Sequence, residues 1–538
     1  MQLKGNRQSL FPGLAVSCAL FAMAAGLLML LFSQQGSNAI HLGSRYQHIL
    51  KWTILQATLS TVISIVIGIV LGWALSHRQG FPGRTVFIAL LSSALVLPTL
   101  VVALGLVTVL GRAGWINDAL QLSGLDPFEP FIYGLPGILI AHAYFNASFA
   151  ARTILNRLQS IPASQLKLAS SLGLNPLQRF RLLEFPAIAT ALPSLCTTIF
   201  LLCFTSFAIV LVLGGSPKYN TLEVSIYEAI KLDFDLARAV GLSLLQLGIC
   251  ALLVLATSRS ASVLLVDTPM RMTGYLHYSK SETVVQYVVI CVFGLYFLMP
   301  LLAIVVDGIS TDLFKVLIQP AFIKALITSL AIATASTIIV LFASILICSS
   351  ITTLAVRQGA QSSRLSQLML RFINFSATLY LVIPSLVLGL GFFLLARQTG
   401  GSYLLWSVVS LLAANTLLVL PFALASLSPV MIKVANRYDR LALSLSVTGL
   451  SRWRLIESPL IRPELAYVAS LAFCMSLGDL GVIALFGSQD FVTLPWLLYQ
   501  KMGSYRTAEA AGVALVTLAL TLLVFLVLPR IGSVSRET

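Results

Sequence analysis

The sequence predicts an all-α polytopic membrane protein, with about twelve transmembrane helices in two homologous, parallel six-helix halves. Three observations carry that expectation: an apolar, charge-poor composition, twelve long apolar windows, and an internal repeat. Of 538 residues, 58% are hydrophobic and 10% charged, and the mean hydropathy is +0.94. Soluble domains carry about 25% charge and about 45–50% apolar residues. The composition excludes a water-soluble globule, a disordered chain and a nucleic-acid-binding module. The formal charge of +15 then has a simple source, because Lys and Arg accumulate in cytoplasmic loops.

A bilayer-crossing helix takes about 20 mostly apolar residues. In chain order the windows are 14–33, 53–76, 85–110, 135–150, 187–213, 237–257, 284–306, 322–350, 372–396, 403–427, 463–486 and 508–529. The first is too long for a cleaved signal and has no small-residue cleavage site after it, so it counts as a span. With Lys4 and Arg7 placed inside, 23 of the 34 basic residues fall in inside segments, which predicts both termini in the cytoplasm. The outside loops collect acids: Asp118, Asp126, Glu129, Glu223, Glu228, Asp233 and Asp235. The seven cysteines all lie in apolar stretches with no CxxC or His/Cys ligand spacing, so neither a disulfide frame nor a metal site is predicted.

The repeat divides the chain into residues 1–270 and 271–538. Val96–Leu106 matches Val382–Phe392 at an offset of 286, and beyond the next outside loop the offset settles at 273. Ala141-His142 then pairs with Ala414-Asn415, Arg179–Pro186 with Arg452–Pro459, and Gly214 with Gly487. Parallel repeats of this kind place a pathway at their interface, near a pseudo-two-fold axis along the membrane normal.

Two inside loops, 151–186 and 428–462, occupy equivalent places and are the most basic. In the first, Pro162 precedes a short helix with Leu166, Ala169 and Leu172 on one face. Gly173 ends it before Leu174, and Asn175 caps a second helix that carries Phe180 and opens on Pro176. The second repeats the plan with Leu441, Ala442 and Leu445, then Ser446 and Val447, then Thr448 as cap and a helix through Trp453. Such apolar, basic helix pairs either rest on lipid headgroups or dock into grooves of a partner. Their matched placement favours a partner that is itself two-fold symmetric.

These loops resemble the cytoplasmic coupling loops of binding-protein-dependent ABC importer permeases, whose pattern is Glu-Ala-Ala, three residues, Gly, then a hydrophobic helix and Pro. Here it reads Lys167-Leu168-Ala169 to Gly173, and Arg440-Leu441-Ala442 to Ser446. The leading Glu is absent from both, and Ser446 replaces the second Gly. Residues Ser476–Gly487, with Asp490-Phe491, Thr493–Pro495, Leu498–Gln500 and Gly503–Arg506, are similar to the thiamine permeases of that class. The resemblance implies a type I ABC importer permease in the bacterial inner membrane. It also implies import of thiamine and its phosphates, a homodimeric ATP-binding cassette ATPase docked on the two loops, and a periplasmic thiamine-binding protein. Fused ferric-iron permeases share the architecture and are the alternative within the class. A 6+6 secondary carrier and a membrane enzyme are the alternatives outside it.

Ionisable groups inside a span are costly and mark functional candidates. Asp479, flanked by Ser476, Gly478 and Gly481, is the clearest. Its repeat counterpart is Ser206, beside Thr205. A carboxylate there would attract a cation, or would cap a helix break. His142 and Asn415 form an equivalent polar pair that either lines the pathway or hydrogen-bonds between helices. Pro98 and Pro384 are expected to kink their helices. Tyr499, Asn146 and Trp496 complete the candidates. No GxxxxGK[ST] loop is present, so ATP and its Mg belong to a partner subunit and the chain binds no cofactor of its own.

Overall fold

The computed structural model describes residues 10–34, 44–127, 129, 131–257, 280–358 and 364–533. The predicted boundary at 270/271 and the terminal residues lie outside them. The first half contains α1 (Leu10–Ser33), α2 (Ser44–His77), α3 (Arg84–Ser93), α4 (Thr99–Leu110), α5 (Trp115–Leu122), α6 (Leu135–Gln159), α7 (Ala163–Ser171), α8 (Pro176–Arg179), α9 (Phe185–Phe204), α10 (Ala208–Leu213), α11 (Leu222–Lys231) and α12 (Leu236–Thr257). The second contains α13 (Lys280–Ser310), α14 (Leu313–Ile318), α15 (Pro320–Gln358), α16 (Arg364–Thr378), α17 (Ser385–Thr399), α18 (Tyr403–Ser444), α19 (Gly449–Arg452), α20 (Ser458–Gly478), α21 (Gly481–Phe486), α22 (Leu494–Gly503) and α23 (Thr507–Ser533). Among the described residues, eleven helices are long and apolar enough to cross a bilayer, or twelve if the bent α16–α17 pair is one span.

The repeat reappears in detail. One π-helical turn, Phe180–Glu184, joins α8 to α9, and another, Trp453–Glu457, joins α19 to α20. In both, a proline follows two residues on, Pro186 or Pro459. Proline has no N–H for the carbonyl four residues back, which favours the wider turn. Thr53 Oγ1 accepts the Leu222 N–H at 3.0 Å, and Ser329 Oγ accepts the Leu494 N–H at 2.8 Å. These bonds seat α11 and α22 on α2 and α15 in the same way.

Four predicted spans are interrupted. The third and ninth break at Leu97-Pro98 and Ile383-Pro384, because proline cannot donate and its ring excludes helical geometry from the residue before it. At the second of these, α16 and α17 meet at 95°. The fifth breaks at Thr205–Phe207 and the eleventh at Asp479-Leu480. The fourth runs longer than predicted, to Gln159. The second loop also departs from its plan. Its first short helix is the end of α18, which continues to Ser444. The cause is Ala435, which stands 273 positions after Pro162 and lets the helix run on.

The halves exchange arms. α1 packs on α15, α16 and α17, while α13 packs on α2 and α4. Tyr380 Oη donates to the Leu20 carbonyl (2.7 Å) and Tyr144 Oη to the Phe297 carbonyl (3.0 Å), each pinning an exchanged helix. Close approach within the first half uses Gly68 and Gly72 of α2 against Ala150 and Ala151 of α6. A Cβ at Gly72 would stand 2.7 Å from the Ala151 carbonyl oxygen. Small residues at such spacing let membrane helices touch along their backbones. Gly72→Leu is therefore expected to destabilise by about 1–3 kcal/mol, read as a lowered thermal midpoint in detergent. Gly26→Leu, where nothing lies within 4 Å, should leave the midpoint unchanged; equal shifts would refute the packing argument.

Candidate functional site: a cavity between the halves and two elbows

The four broken helices meet at one place. A cavity of about 280 Å³ is lined from the first half by Pro98, Thr99, His142, Phe145, Asn146, Phe149, Thr205, Ser206 and Phe207, and from the second by Ser385, Cys474, Met475, Gly478, Asp479 and Gly481, among others. The breaks touch across the halves: a Cβ on Gly478 would stand 3.1 Å from Pro98 Cα. A side chain there would press on the Pro98 backbone, so glycine suits this close approach.

Of the predicted pathway residues, Asp479, Ser206, Thr205, His142 and Asn146 line this cavity. The Asp479 carboxylate accepts the N–H groups of Gly481 (3.2 Å) and Val482 (3.4 Å) and so caps α21. His142 is buried; its Nδ1 meets Ser60 Oγ at 2.9 Å, and its Nε2 has no partner. Asn415 and Ser476 do not line the cavity. The Asn415 amide donates to Ser476 Oγ at 2.7 Å, so this pair satisfies itself between α18 and α20. Tyr499 lies outside the lining too, close to Tyr227. These two are repeat counterparts on α22 and α11. Phe207, which lines the cavity, packs its ring 5.3 Å from Tyr227. Among the residues not foreseen are Thr99, Phe145, Phe149 and Met475, which apolar runs give no means of singling out.

The elbows lie at the opposite end of α9 and α20. Each ends its first helix in a left-handed residue, Gly173 (φ 64°) or Ser446 (φ 54°). Leu174 N–H donates to the Ala169 carbonyl (3.1 Å) and Val447 N–H to the Ala442 carbonyl (2.9 Å), the six-to-one bond of a Schellman turn. The departure at Ser446 thus preserves the turn, at a conformational cost of about 1–2 kcal/mol. Asn175 and Gln178 form a reciprocal capping box at 2.8 and 3.0 Å. Thr448 sits at the equivalent cap position but makes no side-chain cap bond.

Burial divides the predicted elbow residues. Leu166, Ala169 and Ala442 are buried and anchor the elbows to the body, so they present nothing to a partner. Leu172, Gly173, Leu441, Leu445 and Ser446 are exposed, and Leu174, Phe180, Val447 and Trp453 are half-buried. Leu166, Ala169 and Leu172 do not share a face because Leu172 occupies the C-cap, where the chain turns over. Leu168, Leu177, Leu182, Leu443, Leu450 and Leu455 add exposed apolar surface that helical spacing did not mark.

A duplicated helical membrane protein, with broken helices round a central cavity and paired apolar elbows at one end, has the build of a membrane permease worked from outside the bilayer. Residues 64–272 match the family of binding-protein-dependent transport system inner membrane components. Over 540 residues the chain is 37% identical to the thiamine transport system permease protein of Escherichia coli K12, covering 98% of each chain. It is 36% identical over 534 residues to that of Brucella abortus strain 2308 (98% of this chain, 95% of the relative) and 36% over 487 to that of Haemophilus influenzae Rd (89% and 87%). The chain therefore belongs to the family of binding-protein-dependent transport permeases, and is a multi-pass inner-membrane protein of that family.

Proposed function

We propose that this chain forms the translocation path of a thiamine importer, carrying thiamine and its phosphate esters inward. The observation that carries this reading is the similarity to thiamine permeases along the whole of both halves. A separate ATPase, a homodimer matched to the two-fold placement of the elbows, docks on Leu172, Gly173, Leu177, Leu445, Ser446 and Leu450. The elbows then lie in the cytoplasm together with both termini, and a periplasmic thiamine-binding protein delivers cargo at the opposite face.

The geometry supports a lever. From each π turn a single helix, α9 of 20 residues or α20 of 21, runs about 30 Å at 1.5 Å per residue. Each ends at a break beside the cavity, Thr205–Phe207 or Asp479-Leu480. ATP-driven closure of the partner draws the elbows together, and the two helices carry that motion to the cavity walls. Switching needs a partner that binds the two states differently.

The test is uptake in a thiamine auxotroph lacking its own importer, supplied with this chain, an ATPase and a binding protein. ATP-dependent thiamine accumulation is the expected result. Accumulation of ferric iron instead, or uptake abolished by a proton ionophore while ATP is held constant, would overturn the reading.

A further inference from the structure

Among the described residues, Asp479 is the only carboxylate lining the cavity, and no lysine or arginine lines it. A carboxylate at membrane depth without a cationic partner is costly, and its two backbone bonds, at 3.2 and 3.4 Å, lie at or beyond the long end of the N–H···O range. They hold the group in place and leave its charge uncancelled. The partial positive charge at the N-termini of α4 and α17, which open here at Thr99 and Ser385, fades within the first turn. A full negative charge therefore sets the sign of the cavity. Its other walls include three phenyl rings, Phe145, Phe149 and Phe207, and ring faces attract cations within about 6 Å. A second, independent feature is His142, 2% exposed, whose Nε2 lacks any partner. Buried polar atoms of this kind are normally satisfied.

We propose that this cavity is a binding site for one flat heteroaromatic cation of fixed charge, with Asp479 as counter-charge, the phenyl rings as stacking walls, and His142 Nε2 bonding to a polar group of the same molecule. The assignment rests on the reading above and deepens it. A thiazolium nitrogen carries charge but no N–H, so it cannot use a carboxylate as a hydrogen-bond acceptor. A carboxylate already bonded to two backbone amides, offering only its charge, matches that chemistry. The counterpart of Asp479 is the neutral Ser206, so the cavity holds a single negative charge. It therefore favours free thiamine, a monocation, over the pyrophosphate ester, whose phosphates reverse the net charge.

Asp479→Asn tests this, because it removes the charge while the Asn Oδ1 can still accept the Gly481 N–H, giving up only the longer bond to Val482. The variant should elute and melt like wild type, show about a tenfold higher KM for thiamine, and take up thiamine and its pyrophosphate in a lower ratio. Purified wild-type permease in detergent should also bind N-benzylthiazolium at least tenfold more tightly than the uncharged thiazole of the same size. Asp479→Ser serves as a second variant should Asn fold poorly. If wild type imports thiamine and the variant shows unchanged KM and uptake ratio, the cation site is overturned while the transport reading stands. If wild type imports no thiamine, the transport reading fails, and equal binding of thiazolium and thiazole would remove the site as well.

Discussion

Glu184→Gln should lower stability by about 3 kcal/mol, whereas its repeat counterpart Glu457→Gln should cost under about 1 kcal/mol. Both glutamates close a bond to the arginine five residues earlier: Arg179 Nε to Glu184 Oε1 at 2.9 Å, and Arg452 Nε to Glu457 Oε1 at 2.7 Å. Residues on one face of an α-helix stand three or four apart; the π turn, with its i→i+5 bonding, brings positions five apart together. Their surroundings differ. The side chains of Arg179 and Glu184 are 5% and 1% exposed. Glu184 also meets His77 Nε2 (3.1 Å), accepts the Trp73 indole N–H (3.0 Å), and shares Arg179 with Glu282 of α13 (3.1 Å). Neutralising it leaves a buried guanidinium short of counter-charge, and such breakage costs about 3–5 kcal/mol when a charge is stranded. Arg452 and Glu457 are 18% and 24% exposed, and Arg452 keeps Asp439 at 2.6 Å. Thermal midpoints in detergent decide the matter, and equal shifts for the two variants would refute this asymmetry. The consequence for transport is that the first elbow is tied to α2 and, through Glu282, to the other half, whereas the second is held within its own loop.

Much of this was legible in the residues, because the informative signals were local or repeated. Asn175 and Pro176 announced a helix start, and the structure supplies its capping box. The 273-residue offset joined Asp479 to Ser206 before either was seen at a cavity. The arm exchange was hidden, since hydropathy reports that a segment is apolar and not which half it packs on. The break at Thr205–Phe207 interrupts a run that reads as a continuous span, whereas Asp479 between its glycines marked the break at Asp479-Leu480 as one of two readings. Prolines mark the other two breaks, but a proline signals a kink and does not give its angle. Asn415 shows the limit of symmetry arguments. It stands where His142 does, yet Ser476 takes the place of Cys203, so Asn415 finds a hydroxyl at 2.7 Å while His142, a residue of the cavity wall, keeps a buried Nε2 with no partner.

Gly173→Trp is expected to reduce transport at least tenfold while leaving a folded, inserted chain. The residue sits at φ 64° with nothing within 4 Å of a built Cβ, so an indole meets no steric obstacle. The cost is the left-handed backbone, about 1–2 kcal/mol, which a membrane protein with a large core tolerates. The ring then projects from the exposed tip beside Leu172 and Leu177, 66% and 65% exposed, the surface assigned to the ATPase. Anchors at the centre of an interface dominate its energy, so a bulky addition there should separate hydrolysis from translocation. Gly173→Ser separates strain from bulk. Ser446 already holds a serine in this conformation at φ 54°, so that variant should transport nearly as wild type does. Co-purification with the ATPase, together with uptake, reads both effects. Full transport by Gly173→Trp would show that the elbow tip bears no partner. Equal loss in Gly173→Ser would show that backbone geometry, and not the docking surface, is what the glycine protects.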